Sequence, residues 1–413
     1  MPSTMSSAAS LYISTWSLNE PLCQSQTVQY LRALASRGYR SCLITFERPP
    51  YLLDAEEQAR ATERLERVGI CWHPIRYHKR ASVLGAFYDG VTVFAAAAMA
   101  VARHGARIVH TRTSVPAVVG LAIATITRRP FLYDADNQLS EEYADAGYWN
   151  RSGWSFKLLA AFERLCRRHA DAIVVLTEQL RRLFIAEGVT VPVAVIPCCV
   201  DVQRFRFDER HRLARRREIG VDGERLLVYC GKIGPRYLVR DMMRFAKAVD
   251  RRAGRARLLV LTHDDPEAFR TAALAEGWRP DSVIVRSADH ADVHEWLSAA
   301  DAGLALIKPV PSERGASPIK ASEYLAAGLP VVLTPSIGDL SAEVEAHRLG
   351  VIVREGEAGS DRAVHDLEVL WGEAAATRER CAAWARSSVD ADRIATERYV
   401  EAYENLLGHP GHR

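Results

Sequence analysis

Several familiar signatures are missing from this 413-residue chain, and each absence narrows what it does. None of its eight cysteines stands in a C-x-x-C pair or at a regular spacing, which points to reduced thiols in a cytoplasmic protein rather than a disulfide framework. Cys198 and Cys199 adjoin and are read as two thiols rather than as a strained vicinal bridge. No apolar run reaches the ~20 residues of a membrane span. The runs from Val91 to Ala102 and from Val115 to Ile126 are Ala-rich, bounded by charge, and read as buried helices. The opening M-P-S-T-M-S-S-A-A-S lacks a basic region and an apolar core, so no signal peptide is expected. No G-x-G-x-x-G follows an expected strand, against an NAD-linked dehydrogenase, and nothing repeats at a solenoid or propeller period. An aromatic-basic stripe is also lacking, which argues against a nucleic-acid partner.

What is present is a globular α/β pattern. Hydrophobic residues make up 48% and charged residues 25%, and the length suits two domains rather than one core. Short apolar strands alternate with helices throughout. The expected strands are Leu11–Trp16, Ser41–Phe46, Ile70–Ile75, Arg107–Thr111, Pro130–Tyr133, Ala172–Leu176 and Val193–Ile196, then Leu226–Cys230, Leu258–Thr262, Val283–Arg286, Gly303–Ile307, Val331–Leu333 and Val351–Val353. The clearest helices are Val28–Arg37, Leu84–Arg103, Ala117–Thr127 and Trp154–His169. This is the pattern of two doubly wound, Rossmann-like domains whose ligand edges face one another across a cleft. Residues 1–200 form the first, 201–386 the second, and 387–413 a closing helical segment. Charge is uneven: residues 1–200 carry 22 Lys and Arg against 17 Asp and Glu, so the net +3 of the chain comes from its first half. Basic clusters at Arg128-Arg129, Arg164 to His169 and Arg181-Arg182 suit a peripheral contact with anionic lipid or an anionic acceptor, or simply a solvated helix face.

The most informative segment is A-S-P-I-K-A-S-E-Y-L-A-A-G-L-P-V-V-L-T-P-S-I-G-D, Ala316 to Asp339. Ser317 suits a helix N-cap, Pro318 the first helical position, and Gly328 a left-handed stop. Ser317, Lys320 and Glu323 fall three apart on one face, beginning at a helix N-terminus that favours an anion. A phosphate at the cap, Lys320 beside it and Glu323 on sugar hydroxyls would hold a nucleotide. An ordinary amphipathic helix between two strands fits the same residues. A second loop, C-G-K-I-G-P-R-Y from Cys230, offers Gly231 for close backbone approach and Lys232 and Arg236 for phosphate oxygens. His263, after another buried strand, points to the same edge. His290 and His294 are four apart without a third ligand, so no metal site is expected.

The motif S-P-x-K followed by E-Y-L-A-x-G-x-P-V-V resembles the donor site of GT-B glycosyltransferases of the retaining, family-four type (glycosyl transferases group 1). The joint V-I-P-C-C-V-D-V-Q-R-F resembles that family's hinge, with Cys198-Cys199 where Asn-Gly is usual. The resemblance implies a nucleotide-sugar donor, UDP or GDP, with Glu323 on the ribose and the helix N-terminus on the diphosphate. It implies no metal, because Lys232, Lys320 and the helix end take over that role, and no cofactor. It also implies front-face attack, in which the leaving phosphate takes the acceptor proton. Two family positions are changed: Gly315 stands where a sugar-facing Glu is common, with Glu313 out of register, and Leu238 stands where a second phosphate-binding Lys is usual, a role that Arg236 or Arg240 would fill. The last helix, Asp392–Leu407, is expected to cross back to the first domain.

The first domain is expected to present the acceptor, a small molecule, a glycan or a lipid-linked sugar. V-H-T-R ends a strand, and its His110 resembles the family's strand-end His near the transferred sugar; His110, Lys320 and Glu323 are the candidate catalytic residues. Arg112, Asp134, Asp136, Asn137 and Glu141 cluster at strand ends, and Asn19 lies in the first strand-to-helix turn, where the family often has Gly-Gly. Two rivals keep the fold: a nucleotide-sugar epimerase, and a non-catalytic partner subunit.

Overall fold

The computed structural model describes residues 9–77, 83–289 and 291–408. Among them are thirteen strands, all at the positions expected to within two residues at either end: β1 Ser10–Ser14, β2 Ser41–Glu47, β3 Ile70–Arg76, β4 Ile108–Arg112, β5 Phe131–Asp134, β6 Ala172–Val175 and β7 Val193–Val195, then β8 Arg225–Cys230, β9 Ala256–Leu261, β10 Val283–Arg286, β11 Ala302–Ala305, β12 Val331–Leu333 and β13 Gly350–Ile352. Contacts divide the chain into two compact units. The first runs to Pro197 and takes back the chain from Ala391; the second is Cys198–Asp390. The limits expected from the sequence, 200 and 387, lie within four residues of these.

The first unit is a parallel sheet in the order β3-β2-β1-β4-β5-β6-β7. β1, β2, β4, β5 and β6 are buried along their whole length, because helices cover both faces of a parallel sheet and no face is left for polar alternation. Strand order reverses between β1 and β4, where Tyr12 pairs with Leu43 on one side and His110 on the other. Helices Val83–His104, Ser114–Thr127 and Trp154–His169 follow the apolar runs read from the sequence. The helix expected at Val28–Arg37 begins earlier, in a π-turn over Gln24–Val28 that continues as Gln29–Ser36. The last helix, Thr396–Gly408, returns to this unit's sheet. Among the described residues no helix is long and apolar enough to cross a membrane.

The second unit is a parallel sheet in the order β10-β9-β8-β11-β12-β13, with its reversal between β8 and β11 and an apolar core on each face. Its key helix, Ile319–Ala326, is held flat to the sheet by one close approach. A Cβ on Gly303 of β11 would come within 2.1 Å of the Tyr324 ring, so only glycine admits it. The ring passes over that gap, and its hydroxyl accepts from the Cys230 N–H at the end of β8, 2.8 Å. Gly328, at φ +72, ends the helix as expected.

Candidate active site

In the second unit, β8 ends at Cys230 and the chain turns on Gly231 with φ +125, a conformation that suits glycine alone. A side chain there would meet Lys320 Nζ at 3.1 Å. Lys320, in the first turn of Ile319–Ala326, is buried. Its ammonium lies 4.0 Å from the Tyr229 ring centre and 3.8 Å from that of Tyr237, with no acceptor in hydrogen-bonding geometry. Two π faces attract a cation without neutralising it. Burial pushes the Tyr237 phenol up, but the Lys320 and Arg236 charges outweigh it and hold the phenol below its ordinary value. Glu323 follows one turn later and is 5% exposed, an enclosed carboxylate rather than one in an open, wet setting. Burial, and then the Glu323 charge, push the Cys230 thiol up to about 12, so it stays protonated beside them.

The helix start differs from the sequence reading. Ser317 is not the N-cap: its hydroxyl accepts from the Cys198 N–H at 3.0 Å and so ties the hinge to the helix. Pro318 occupies the cap position rather than the first helical one, and no side chain caps the helix. Its N-terminal end is therefore left to favour an anion. The neighbouring loop is fastened from below. The Tyr229 hydroxyl donates to the Lys232 carbonyl at 2.5 Å, and the Ile233 N–H donates to the Asp264 carboxylate at 2.6 Å, leaving the Lys232 side chain exposed. Arg236 departs from expectation. Its guanidinium donates to Glu313 at 2.6 Å, so the carboxylate that lay out of register is what it engages. His263 is exposed at the end of β9 and bonded through Nδ1 to Ser287 at 2.7 Å. His290 lies outside the described residues.

In the first unit the expected acceptor cluster splits in two. His110, Arg112 and Asp134 are wholly buried and bind the returning helix. Arg112 donates to Asp134 at 2.7 Å, the Tyr399 hydroxyl donates to the same carboxylate oxygen at 2.7 Å, and His110 Nδ1 meets the Tyr403 hydroxyl at 2.9 Å. Tyr403 in turn donates to Ser10 at 3.0 Å. These contacts give the three residues a place in the packing of the last helix, not at an open acceptor surface. Burial pulls His110 down, against Asp134, and keeps the imidazole neutral.

Asp136, Asn137, Glu141 and Asn19 stand apart from that network. Burial pushes Asp136 up to about 7; Arg112 opposes this, and the Glu142 and Asp134 charges reinforce it. Asn137 donates to Glu142 at 2.6 Å, while Glu141 accepts two bonds from Arg151, at 2.9 and 2.8 Å. Asn19 is exposed in its turn. Thr113, immediately after β4, has φ 72, unusual for a β-branched residue, and its hydroxyl is 3.3 Å from that of Thr15 after β1. Thr113 was missed because an isolated Thr carries no signal. Tyr229 and Tyr237 were missed although both flank the glycine loop, where an aromatic on each side of C-G-K-I-G could have been noticed.

Residues 23–199 match the family of glycosyl transferase 4-like domains, and residues 224–367 match the glycosyl transferases group 1 family. Among solved structures, HepE of Anabaena in complex with UDP-glucose aligns with a TM-score of 0.71 at 16% identity, over 95% of this chain and 99% of that one. Sucrose-phosphate synthase of Thermosynechococcus elongatus gives 0.68 at 16% identity, over 97% and 99%. WaaG, a glycosyltransferase involved in lipopolysaccharide biosynthesis, gives 0.68 at 16% identity, over 97% and 100%. Among curated proteins none matches by sequence.

Proposed function

The chain belongs to the GT-B glycosyltransferases of the family-four type, and from that premise we propose that it moves a sugar from a nucleoside diphosphate, UDP before GDP, to its acceptor with retention of configuration and without a catalytic metal ion. The observation that carries this reading is the buried Lys320 ammonium, lodged between two tyrosine rings beside Gly231 and the uncapped start of its helix. A diphosphate would give that cation its missing acceptors, and the helix dipole would add to the attraction. Lys232, exposed on the fastened loop, reaches the same anion, and Glu323 takes the ribose hydroxyls. Negative charge developing on the leaving phosphate would meet groups already in place, which is the electrostatic contribution a metal otherwise makes. The complex of HepE with UDP-glucose favours UDP as the nucleotide. On the acceptor side Asp136 and Asn19 would meet hydroxyl groups, whereas Asn137 is held by Glu142 and Gln138 and His110, Arg112 and Asp134 serve the return helix.

The acceptor we propose is lipid-linked, and the enzyme works in the cytoplasm at the inner face of the membrane. Trp154, Leu158, Phe162 and Leu165 are exposed along one side of helix Trp154–His169, flanked by exposed Lys157, Arg164 and Arg168. An apolar row edged with cations suits an anionic bilayer surface.

One assay tests the transfer. With UDP-glucose and no added divalent ion, the desalted enzyme should bind UDP in calorimetry and release it on turnover, with α-linked product by NMR. Lys320→Ala should weaken UDP binding by about 1.5–3 kcal/mol, the value of a charge-assisted hydrogen bond. Activity that appears only with magnesium or manganese, or a Lys320→Ala protein that binds UDP as well as the parent, would overturn the phosphate assignment. A free epimerised nucleotide sugar would identify the epimerase instead, and nucleotide binding without turnover on any acceptor the partner subunit.

A further inference from the structure

Four side chains at one end of the first unit converge in a way the transferase reaction does not use. Cys42 and Cys71 are register partners near the starts of β2 and β3, and His73 lies two residues along β3. In adjacent parallel strands, register partners point to the same face, and so does a residue two further on. His104, the last residue of helix Val83–His104, covers that face. The four ligand-capable atoms all lie within 4.8 Å of one another. Cys71 Sγ is 3.5 Å from His73 Nε2 and 3.7 Å from His104 Nε2, and the two Nε2 atoms are 3.3 Å apart.

Hydrogen bonding does not account for this triangle. An imidazole Nε2 has one in-plane direction, as a single N–H or a single lone pair, and cannot serve two neighbours well. Atoms that converge so closely share a centre more readily than they share protons. Tetrahedral zinc supplies that centre: with Zn–N of about 2.0–2.1 Å and Zn–S of about 2.3 Å, ligand nitrogens stand about 3.3 Å apart and a nitrogen and a sulfur about 3.5 Å apart. The separations among Cys71, His73 and His104 lie close to these, and Cys42 Sγ is within 4.8 Å of all three. Two thiolates and two imidazoles make a donor set suited to zinc rather than to a hard, oxygen-seeking cation.

We propose that Cys42, Cys71, His73 and His104 form a structural zinc site. Zn²⁺ takes both sulfurs as thiolates and releases whatever protons they carry, giving the dithiolate complex. All four tetrahedral positions are taken by protein, so no place remains for substrate or catalytic water. The location agrees with that role, for the site sits where β2 and β3 begin, at the sheet end opposite to Asp136 and Thr113. The ion would clamp β3, the edge strand of the sheet, to β2 and to the end of helix Val83–His104. A second group, His211, His294 and Glu295, carries no comparable case: it has no thiol, and Glu295 is already bonded to Arg215.

The test uses the full chain purified without a polyhistidine tag, under reducing conditions. Elemental analysis should find one zinc per chain. Cobalt exchange should give tetrahedral d–d absorption with sulfur-to-metal charge transfer, and X-ray absorption two sulfur and two nitrogen neighbours. Chelation should lower Tm, and one equivalent of zinc should restore it, a readout that holds even if variants fail to fold. Cys71→Ser should lose the charge-transfer signature of bound cobalt or halve it, and His104→Gln should lose the metal or shift its d–d bands. A reduced wild-type protein without stoichiometric zinc, a Cys42–Cys71 disulfide trapped directly from cells, or undiminished zinc in Cys71→Ser would each overturn the assignment.

Discussion

Individual residues show how much a side chain's role depends on what encloses it. Lys320 and Glu323 stand out in the sequence because their spacing on a helix is local. The setting that makes Lys320 reactive toward an anion comes from Tyr229 and Tyr237, which a residue-by-residue reading passes over. Asp136 gives the clearest pH signature. Its carboxyl is pushed from 3.8 to about 7, by burial first, so the folded protein holds a proton that the unfolded chain releases. Stability should therefore fall as pH rises across that window, because the native state binds more protons there than the unfolded one. Asp136→Asn should flatten this part of the stability–pH profile and become the more stable protein near pH 8, while UDP binding stays within about a kcal/mol of wild type because the residue shares no partner with Lys320. Urea melts from pH 4 to 8 decide it: an unchanged slope in the variant would mean that Asp136 is ionised throughout.

Elements, unlike single residues, were largely legible, and the errors came from long-range partners. Thirteen strands could be read because a strand covered on both faces is a short, nearly continuous apolar run. Ser317 was misplaced as a cap because its hydroxyl is taken by an amide 119 residues away. His110 reads as a catalytic residue and Asp134 as an acceptor contact because their partners, Tyr403 and Tyr399, come 293 and 265 residues later. Nothing in V-H-T-R announces a helix that arrives from the far end of the chain. The network makes a testable statement about that helix. Tyr399→Phe removes the buried donor to Asp134, and a hydrogen bond to a charged group is worth about 1.5–3 kcal/mol. Chemical denaturation should show a loss of that size, with UDP affinity unchanged. A stable variant that instead loses transfer alone would return Asp134 and its neighbours to the acceptor.

At the scale of the whole molecule, composition showed that the first half is basic, but not where the charge lies. Helix Trp154–His169 supplies the missing geometry. Its inward side is held by Glu163, which accepts from the Ser114 and Ser140 hydroxyls at 2.7 and 2.6 Å, and by buried Cys166. That fixes the outward side as the row of Trp154, Leu158, Phe162 and Leu165, with Trp154 76% exposed. An indole so exposed beside three cations is poorly explained by folding, since burying it would have stabilised the chain. Vesicle flotation tests the alternative. The protein should float with phosphatidylglycerol vesicles and much less with phosphatidylcholine, and high salt should release it. Each cation near an anionic surface contributes about 1 kcal/mol, so replacing Lys157, Arg164 and Arg168 together by Gln should reduce partitioning on the order of 100-fold. Trp154→Ser should weaken binding to both lipids, because it removes the apolar contribution rather than the electrostatic one. Wild-type protein that stays with the solvent at low salt would show that this face docks on something other than a bilayer, and the lipid-linked acceptor would fall with it.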